Sequence, residues 1–292
     1  MEAIKNFLRA HGYIKDERGF FTAAHPSVVH DNQPAVEAEK FWSRLARDNP
    51  IAAAAATDSK DWYAKYPTLV DHEVEPDRAQ VVLDAGCGYG RVAIPLLKTR
   101  SSLHLVGVDA STEMLQIFSR LLEGENQTHL RNQVVLLHSA INDLPFDDET
   151  FDCIYSCAVL LHNPYEEVPK ILGEFYRLLK PYGKLILASS FPNLYNLEGL
   201  QNYVHLQMRA SPNANGPVRV YSQKRVRALF SKWRETRIIP NGVVLIPRQF
   251  AHIAMPFGRT IRQINGWLER QDLPFMRKTS IFVKLFDVVA RK

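Results

Sequence analysis

The sequence predicts an α/β fold in which a mostly parallel sheet carries helices on both faces, and three observations support it. From Val81 onward, short apolar runs alternate with helical stretches. The runs are close to continuously apolar, as strands buried on both faces are. A glycine-rich turn, Gly86-Cys87-Gly88-Tyr89-Gly90, joins the first run to the first helical stretch of this region.

Taken in order, residues 1 to about 78 read as helices between polar turns. In Ala35–Asn49 the residues Val36, Phe41, Trp42 and Leu45 lie near helical spacing. A second helix is expected near Asp61–Val70. The strand runs follow at Val81–Asp84, Leu103–Asp109, Gln133–His138, Phe151–Cys157 and Lys184–Ser189. Helices are expected between them at Tyr89–Leu97, Ser111–Leu122 and Glu166–Leu179, the last stopped by Lys180-Pro181-Tyr182-Gly183. Beyond Phe191 the pattern predicts helices at Leu197–Met208 and Ser222–Lys232 and strands at Glu235–Ile239 and Ile281–Ala290. A long insertion separates these two strands and includes a helical stretch at Thr260–Arg270. The expected organisation is an N-terminal helical cap (1–78), a ligand-binding core (79–192), and a lid with the last strands and a basic insertion (193–292).

Composition narrows the class. At 46% hydrophobic and 23% charged residues over 292 positions, the chain has the balance of a globular protein with a sizeable core. Cys87, Cys153 and Cys157 are too few and too clustered for a disulfide framework, which fits a reducing cytoplasm. No apolar stretch reaches the ~18 residues of a spanning helix. The net charge of +5 conceals an asymmetry: residues 201–292 carry 17 Lys and Arg against 4 Asp and Glu. That basic third either faces an anionic partner, a membrane surface included, or is simply a solvated surface.

The sharpest signal is Val81-Val82-Leu83-Asp84-Ala85-Gly86-Cys87-Gly88-Tyr89-Gly90-Arg91, an apolar strand that ends in an acid and turns through three glycines into a helix. Glycines at such a turn let the main chain approach a ligand. A second acid, Asp109, ends the next strand, where a carboxylate can accept hydrogen bonds from both ribose hydroxyls. Arg91 stands where a dinucleotide fingerprint needs its last glycine, so the loop suits a nucleoside ligand without phosphates. Asp84 is positioned to accept from a backbone amide or from an ammonium group.

With Asp143-Leu144-Pro145-Phe146, Phe151-Asp152, Ala158-Val159-Leu160-Leu161-His162 and Leu178-Leu179-Lys180-Pro181-Tyr182-Gly183, this pattern resembles the class I S-adenosylmethionine-dependent methyltransferases, in the small-molecule group related to the quinone methyltransferases. The resemblance spans roughly Trp62 to Pro192. It implies a Rossmann-like sheet of seven strands with the last one antiparallel, and S-adenosylmethionine as cofactor. Gly86 and Gly88 would approach the methionine portion, and Asp84, Gly90 and Cys157 are further candidates for contact with the cofactor. Asp109 would hold the ribose, Ala110 and Met114 would flank the adenine, and Ile141 and Asn142 would take its other side. Ala140 stands where the family often has an acid that reaches the adenine amino group.

A sulfonium methyl needs no activation by the protein, so in-line placement of acceptor, methyl and sulfur is the main requirement. His162, just past a strand tip, is the candidate base for an acceptor that must lose a proton; its other reading is a histidine that shapes the loop. The expected acceptor is a small organic or lipid-like molecule, with O-methylation preferred over C- or N-methylation. A quinone or lipid methyltransferase at a membrane surface and a non-catalytic S-adenosylmethionine-binding protein are the alternatives. Nucleic acid is disfavoured, because no RNA-binding module or complete base-methylation motif is present. No metal-ligand spacing was found, and none is expected.

Overall fold

The computed structural model describes residues 1–24, 40–44, 46–47, 69–74, 80–123, 128–208, 218–243, 260, 263–264, 267 and 281–292. Nine strands form one sheet: β1 (Tyr13–Lys15), β2 (Phe21–Ala23), β3 (Gln80–Ala85), β4 (Leu103–Asp109), β5 (Val134–His138), β6 (Phe151–Cys157), β7 (Leu179–Pro192), β8 (Glu235–Val243) and β9 (Val283–Arg291). Their order across the sheet is β1-β2-β5-β4-β3-β6-β7-β9-β8. Strands β2 to β7 run parallel, and β9 pairs antiparallel with both β7 and β8. The antiparallel last strand expected at Ile281–Ala290 is therefore present.

Five runs read as strands from the core sequence all form, because each is apolar toward both faces. Leu83, Val106, Val108, Leu137, Ile154 and Leu187 point to one side and pack with α1 (Glu2–Ala10), α5 (Val168–Leu178) and α7 (Gln223–Leu229) through Leu8, Phe175 and Val226. Val82, Leu105, Leu136, Tyr155 and Ile186 point to the other and meet α2 (Ala93–Thr99) and α3 (Thr112–Leu122) through Leu96 and Phe118. Each such aliphatic side chain contributes about 1.5–3 kcal/mol on burial. The short α4 (Thr128–Arg131) precedes β5, and α6 (Leu197–Gln207) follows β7.

The sheet has two strands more than the seven expected, and both come from the N-terminal region read as helical. After α1, Gly12 and Gly19 take positive φ angles of 80° and 94°, and a hairpin forms with Tyr13 opposite Ala23. Phe21 and Tyr13 turn into the core, and β2 then pairs with β5. A three-residue strand is too short to show period-two alternation, so this hairpin has no clear sequence signature. Of the two helices expected there, residues 40–44 and 46–47 are helical, as are residues 69–73; most of Asp61–Val70 lies outside the described residues. The first core helix begins at Ala93, later than the expected Tyr89, because the glycine turn occupies the residues before it.

At the amino ends of the strands, the Asp152 carboxylate accepts hydrogen bonds from the Val81 amide (2.9 Å) and Lys180 Nζ (2.9 Å), joining β3, β6 and β7. Glu73 is buried and pairs with Lys184 at 3.3 Å and with Arg237.

Candidate cofactor and acceptor site

Asp84 sits near the end of β3 with 2% of its surface exposed, and its carboxylate accepts a 2.8 Å hydrogen bond from the Tyr155 hydroxyl on the adjacent strand. Burial pushes this carboxyl up to about 7, and the Tyr155 hydrogen bond opposes the shift. The chain then leaves the strand as the amides of Gly86 and Cys87 donate to the Val108 carbonyl at 2.8 and 2.9 Å. Gly90 is jammed: a Cβ there would lie 2.3 Å from the Phe118 ring. Gly88 differs, with φ at +52° and nothing within 4 Å of a Cβ position. The backbone at Gly88 therefore faces open space at the carboxyl edge.

Asp109 at the end of β4 bridges the two loops of the site. One carboxylate oxygen accepts from the Gly88 amide (2.8 Å) and the other from the Ser111 amide (2.8 Å). Desolvation raises its carboxyl, and these two amides pull it back. Each oxygen keeps a further lone pair, so the group can still accept hydrogen bonds from a ligand. Ser111 is the N-cap of α3, its hydroxyl accepting from the Met114 amide at 3.2 Å. His138, paired with Asp109 across β4 and β5, has Nε2 3.1 Å from the Ala110 carbonyl, so the tautomer protonated there donates to it.

The fold brings the expected site residues to one edge. Asp84, Gly86, Gly88, Gly90, Asp109, Ala110, Met114, Ile141, Asn142 and Cys157 lie at or just beyond the carboxyl ends of β3, β4, β5 and β6. Asn142 also donates from Nδ2 to Glu167 at 3.2 Å, which ties its amide to the start of α5. Ile141 packs partly against the core beside buried Ala140. Cys157 is buried, with its thiol 3.5 Å from an Arg91 nitrogen; burial pushes the thiol up to about 12, so it stays protonated at neutral pH.

His162 ends a single turn of 3-10 helix, Leu160–His162. Its carbonyl accepts from Arg219, and its ring meets the edge of Trp42 with centroids 5.2 Å apart. The residue after Trp42, Ser43, has its hydroxyl 2.9 Å from that of Ser111. Trp42 and Ser43 thus touch both rims of the site, Ser43 on the Asp109 side and Trp42 on the His162 side. Trp42, Ser43, Tyr155 and His138 were not singled out from the sequence as site residues. Ser111 had a weak signal as a serine just ahead of an amphipathic stretch.

One more carboxylate lies on this part of the sheet. Asp287 on β9 is buried and accepts 2.6 Å hydrogen bonds from the Ser189 amide and from Asn241 Nδ2. Burial pushes it up to about 6. Ser189 has φ at +54° within an irregularity of β7 between Leu187 and Phe191, so the carboxylate braces a kink in the strand.

Residues 82–183 match the family model described as a methyltransferase domain. Among characterised relatives, the chain is 25% identical over 151 residues to an O-methyltransferase of Aspergillus nomiae, covering 52% of this chain and 61% of that protein. It is 29% identical over 170 residues to a ubiquinone/menaquinone biosynthesis C-methyltransferase of Geotalea daltonii, covering 58% and 64%. It is 30% identical over 143 residues to the erythromycin 3''-O-methyltransferase of Saccharopolyspora erythraea, covering 49% and 40%. The chain thus spans less than two thirds of the length of these relatives. In fold it resembles a Thermotoga maritima structure described as an S-adenosylmethionine-dependent methyltransferase, possible histamine N-methyltransferase (TM-score 0.54, 16% identity, 87% of this chain and 98% of that one).

Proposed function

We propose that this chain, which carries a class I S-adenosylmethionine-dependent methyltransferase domain in residues 82–183, transfers the cofactor's methyl group to a small organic acceptor. The observation that carries the reading is the Asp109 carboxylate, held by the Gly88 and Ser111 amides beside a glycine loop that opens at Gly88. A nucleoside ligand fits that arrangement: the ribose hydroxyls donate to Asp109, and the main chain at Gly88 leaves room for the adjoining chain of the ligand. Asp84, anionic once an ammonium approaches it, holds the amino group of the methionine portion.

When bound, S-adenosylmethionine supplies a methyl group already made electrophilic by its sulfonium. The residues of this chain have to bind, orient and exclude water. Met114 and Ile141 offer apolar surfaces to the adenine, and residues 40–47 close over the edge through Ser43 and Trp42. His162 faces Trp42 on the acceptor side, within the segment that leaves β6. It would take the proton of a hydroxyl acceptor if one is lost. An oxygen acceptor is the first to test, since two of the relatives are named O-methyltransferases.

Calorimetric titration with S-adenosylmethionine and S-adenosylhomocysteine, beside an Asp109→Ala variant, tests the reading. Two hydrogen bonds to a charged group at ~1.5–3 kcal/mol each predict at least a ~100-fold loss of affinity in the variant. A folded wild-type protein that binds neither ligand would refute it. Transfer of labelled methyl to phenols, sugars and amines then sorts the acceptor class.

A further inference from the structure

Helix α6 is built inside out. Its start is fixed by Asn193 and Asn196, which both donate to the Val283 carbonyl of β9, at 2.8 and 2.6 Å. Asn196 also caps the helix by accepting from the Gly199 amide at 2.6 Å. Gly199 lies so close to the preceding turn that a Cβ would sit 1.8 Å from the Asn193 carbonyl oxygen, so the helix has little freedom to rotate. In this orientation Gly199 and Asn202 are buried and Glu198, Gln201 and His205 are partly buried. The opposite side shows Leu197, Leu200, Val204 and Met208, spaced by three and four residues, at 62, 53, 43 and 72% exposure. Tyr203 and Tyr195 extend the same surface.

An ordinary surface helix turns its apolar stripe to the core and its polar side to water. Here the stripe faces out, and Gln207 is the polar residue among the exposed positions of the helix. Nearly half of the exposed large apolar side chains among the described residues fall within 195–208. A continuous uncharged patch of this kind marks a surface that meets something apolar.

The occupant is narrowed by charge. Residues 201–292 carry 17 basic residues against 4 acidic ones. Among the described residues of the insertion, Ile264 and Trp267 are exposed, with Arg259, Arg262 and Arg270 adjacent in sequence. A second copy meeting this region face to face would set like charges against each other, whereas anionic lipid attracts them. Tyr195 and Tyr203, exposed among these apolar side chains, suit a boundary that is oily on one side and wet on the other. We propose that the outer face of α6 docks on an anionic lipid surface. The inference deepens the methyltransferase reading and rests on it for its purpose: α6 continues directly from the carboxyl end of β7, so a docked membrane borders the edge that holds the cofactor site and delivers a lipid-like acceptor there.

Co-sedimentation of the full chain with phosphatidylglycerol/phosphatidylcholine vesicles tests this. The wild type is expected to pellet with them at low salt and about tenfold less with phosphatidylcholine alone or at high salt. Leu200→Glu together with Val204→Glu, both at exposed positions, should reduce pelleting by about tenfold or more. The same samples are titrated with S-adenosylhomocysteine, which both proteins should bind equally. Wild-type protein that stays in the supernatant, or a variant that pellets as well as the wild type, overturns the docking. A wild-type dimer that the variant converts to monomer, without vesicle binding, gives the face to a second copy and also overturns it. Intact S-adenosylhomocysteine binding in these cases leaves the methyltransferase reading standing, and its absence from a folded wild type removes that reading alone.

Discussion

The Tyr155 hydroxyl donates a 2.8 Å hydrogen bond to the Asp84 carboxylate, across the β3–β6 pairing and on the face of the sheet that also carries Cys157. It is the partner of a buried acid whose pKa is pushed up to about 7. Because the folded-state value exceeds the unfolded value near 3.8, the folded protein binds more protons between these limits. Its contribution to stability should therefore fall as pH rises from about 4 to about 7, by at most roughly 4 kcal/mol, and that contribution should be constant outside the window. Asp84→Asn should remove Asp84's share of the slope, most clearly between pH 6 and 7 above the Asp287 value, and be more stable than wild type at pH 8 in urea unfolding. Tyr155→Phe should carry the slope to higher pH, because the donor that opposes the shift is gone. An Asp84→Asn variant with an unchanged pH slope would show that the acid ionises freely. Binding of S-adenosylhomocysteine, whose ammonium favours ionised Asp84, should be about tenfold weaker at pH 6 than at pH 8.

The glycine turn, Asp84 and Asp109 were legible because each rests on a local pattern: an apolar run, an acid at its end, glycines at the turn. The partners of these acids were less so. Tyr155 lies 71 residues from Asp84, and Ser43 lies 68 residues from Ser111. Only the parallel order of the sheet and the path of the N-terminal segment bring them together. The same limit hid the β1–β2 hairpin, whose neighbour β5 is more than a hundred residues away. The inverted face of α6 had a different cause. Its apolar residues have ordinary helical spacing, and nothing local says which side of the helix faces out; Asn193, Asn196 and Gly199 set that through contacts with β9 and the preceding turn.

Gly88 and Gly90 separate ligand binding from folding. At Gly90 a Cβ would meet the buried Phe118 ring at 2.3 Å, and φ is +83°. Overpacking and a left-handed alanine together predict that Gly90→Ala loses about 2–5 kcal/mol in thermal or urea unfolding. At Gly88 the new methyl enters open space, so Gly88→Ala should lose only about 1–2 kcal/mol, for the backbone at φ +52°. Its S-adenosylhomocysteine affinity should nonetheless fall by about tenfold or more, since the methyl fills room at the ligand. Equal stability losses in the two variants would contradict the packing seen around Phe118.

Arg177 holds the segment that leads into β6. Its guanidinium donates to the carbonyls of Phe146 (2.7 Å) and Leu144 (3.2 Å), and to Glu174 (2.7 Å) and Asp148 (2.8 Å). Glu174 in turn accepts from the Leu144 amide at 3.0 Å. Arg177→Ala strands two carbonyls and a carboxylate in a part-buried place, and about 2–4 kcal/mol should be lost. Arg177→Lys should recover only part of this, because one ammonium cannot reproduce the planar fork. The Asp148 side chain is 72% exposed, so Asp148→Ala should change stability by less than about 0.5 kcal/mol. A large effect at Asp148 with a small one at Arg177 would reverse the assignment.

Ser43 and Arg47 make two contacts of unlike worth with α3. The Ser43 hydroxyl is buried against that of Ser111, while the Arg47 side chain, 2.8 Å from Glu113, is 62% exposed. If residues 40–47 must lift for the ligand to leave, the barrier includes the buried hydroxyl pair at about 1 kcal/mol. Ser43→Ala should then speed S-adenosylhomocysteine release about three- to tenfold in stopped-flow displacement, with the fold unchanged. Arg47→Ala should change it by less than about twofold, and that difference should vanish at high salt, since a solvated pair is screened. Identical release rates for wild type and Ser43→Ala would mean that the ligand leaves without disturbing this helix. Trp42 gives a second reading of the same motion: its contact with the His162 ring breaks when the helix lifts, so its fluorescence should change with the rate of release.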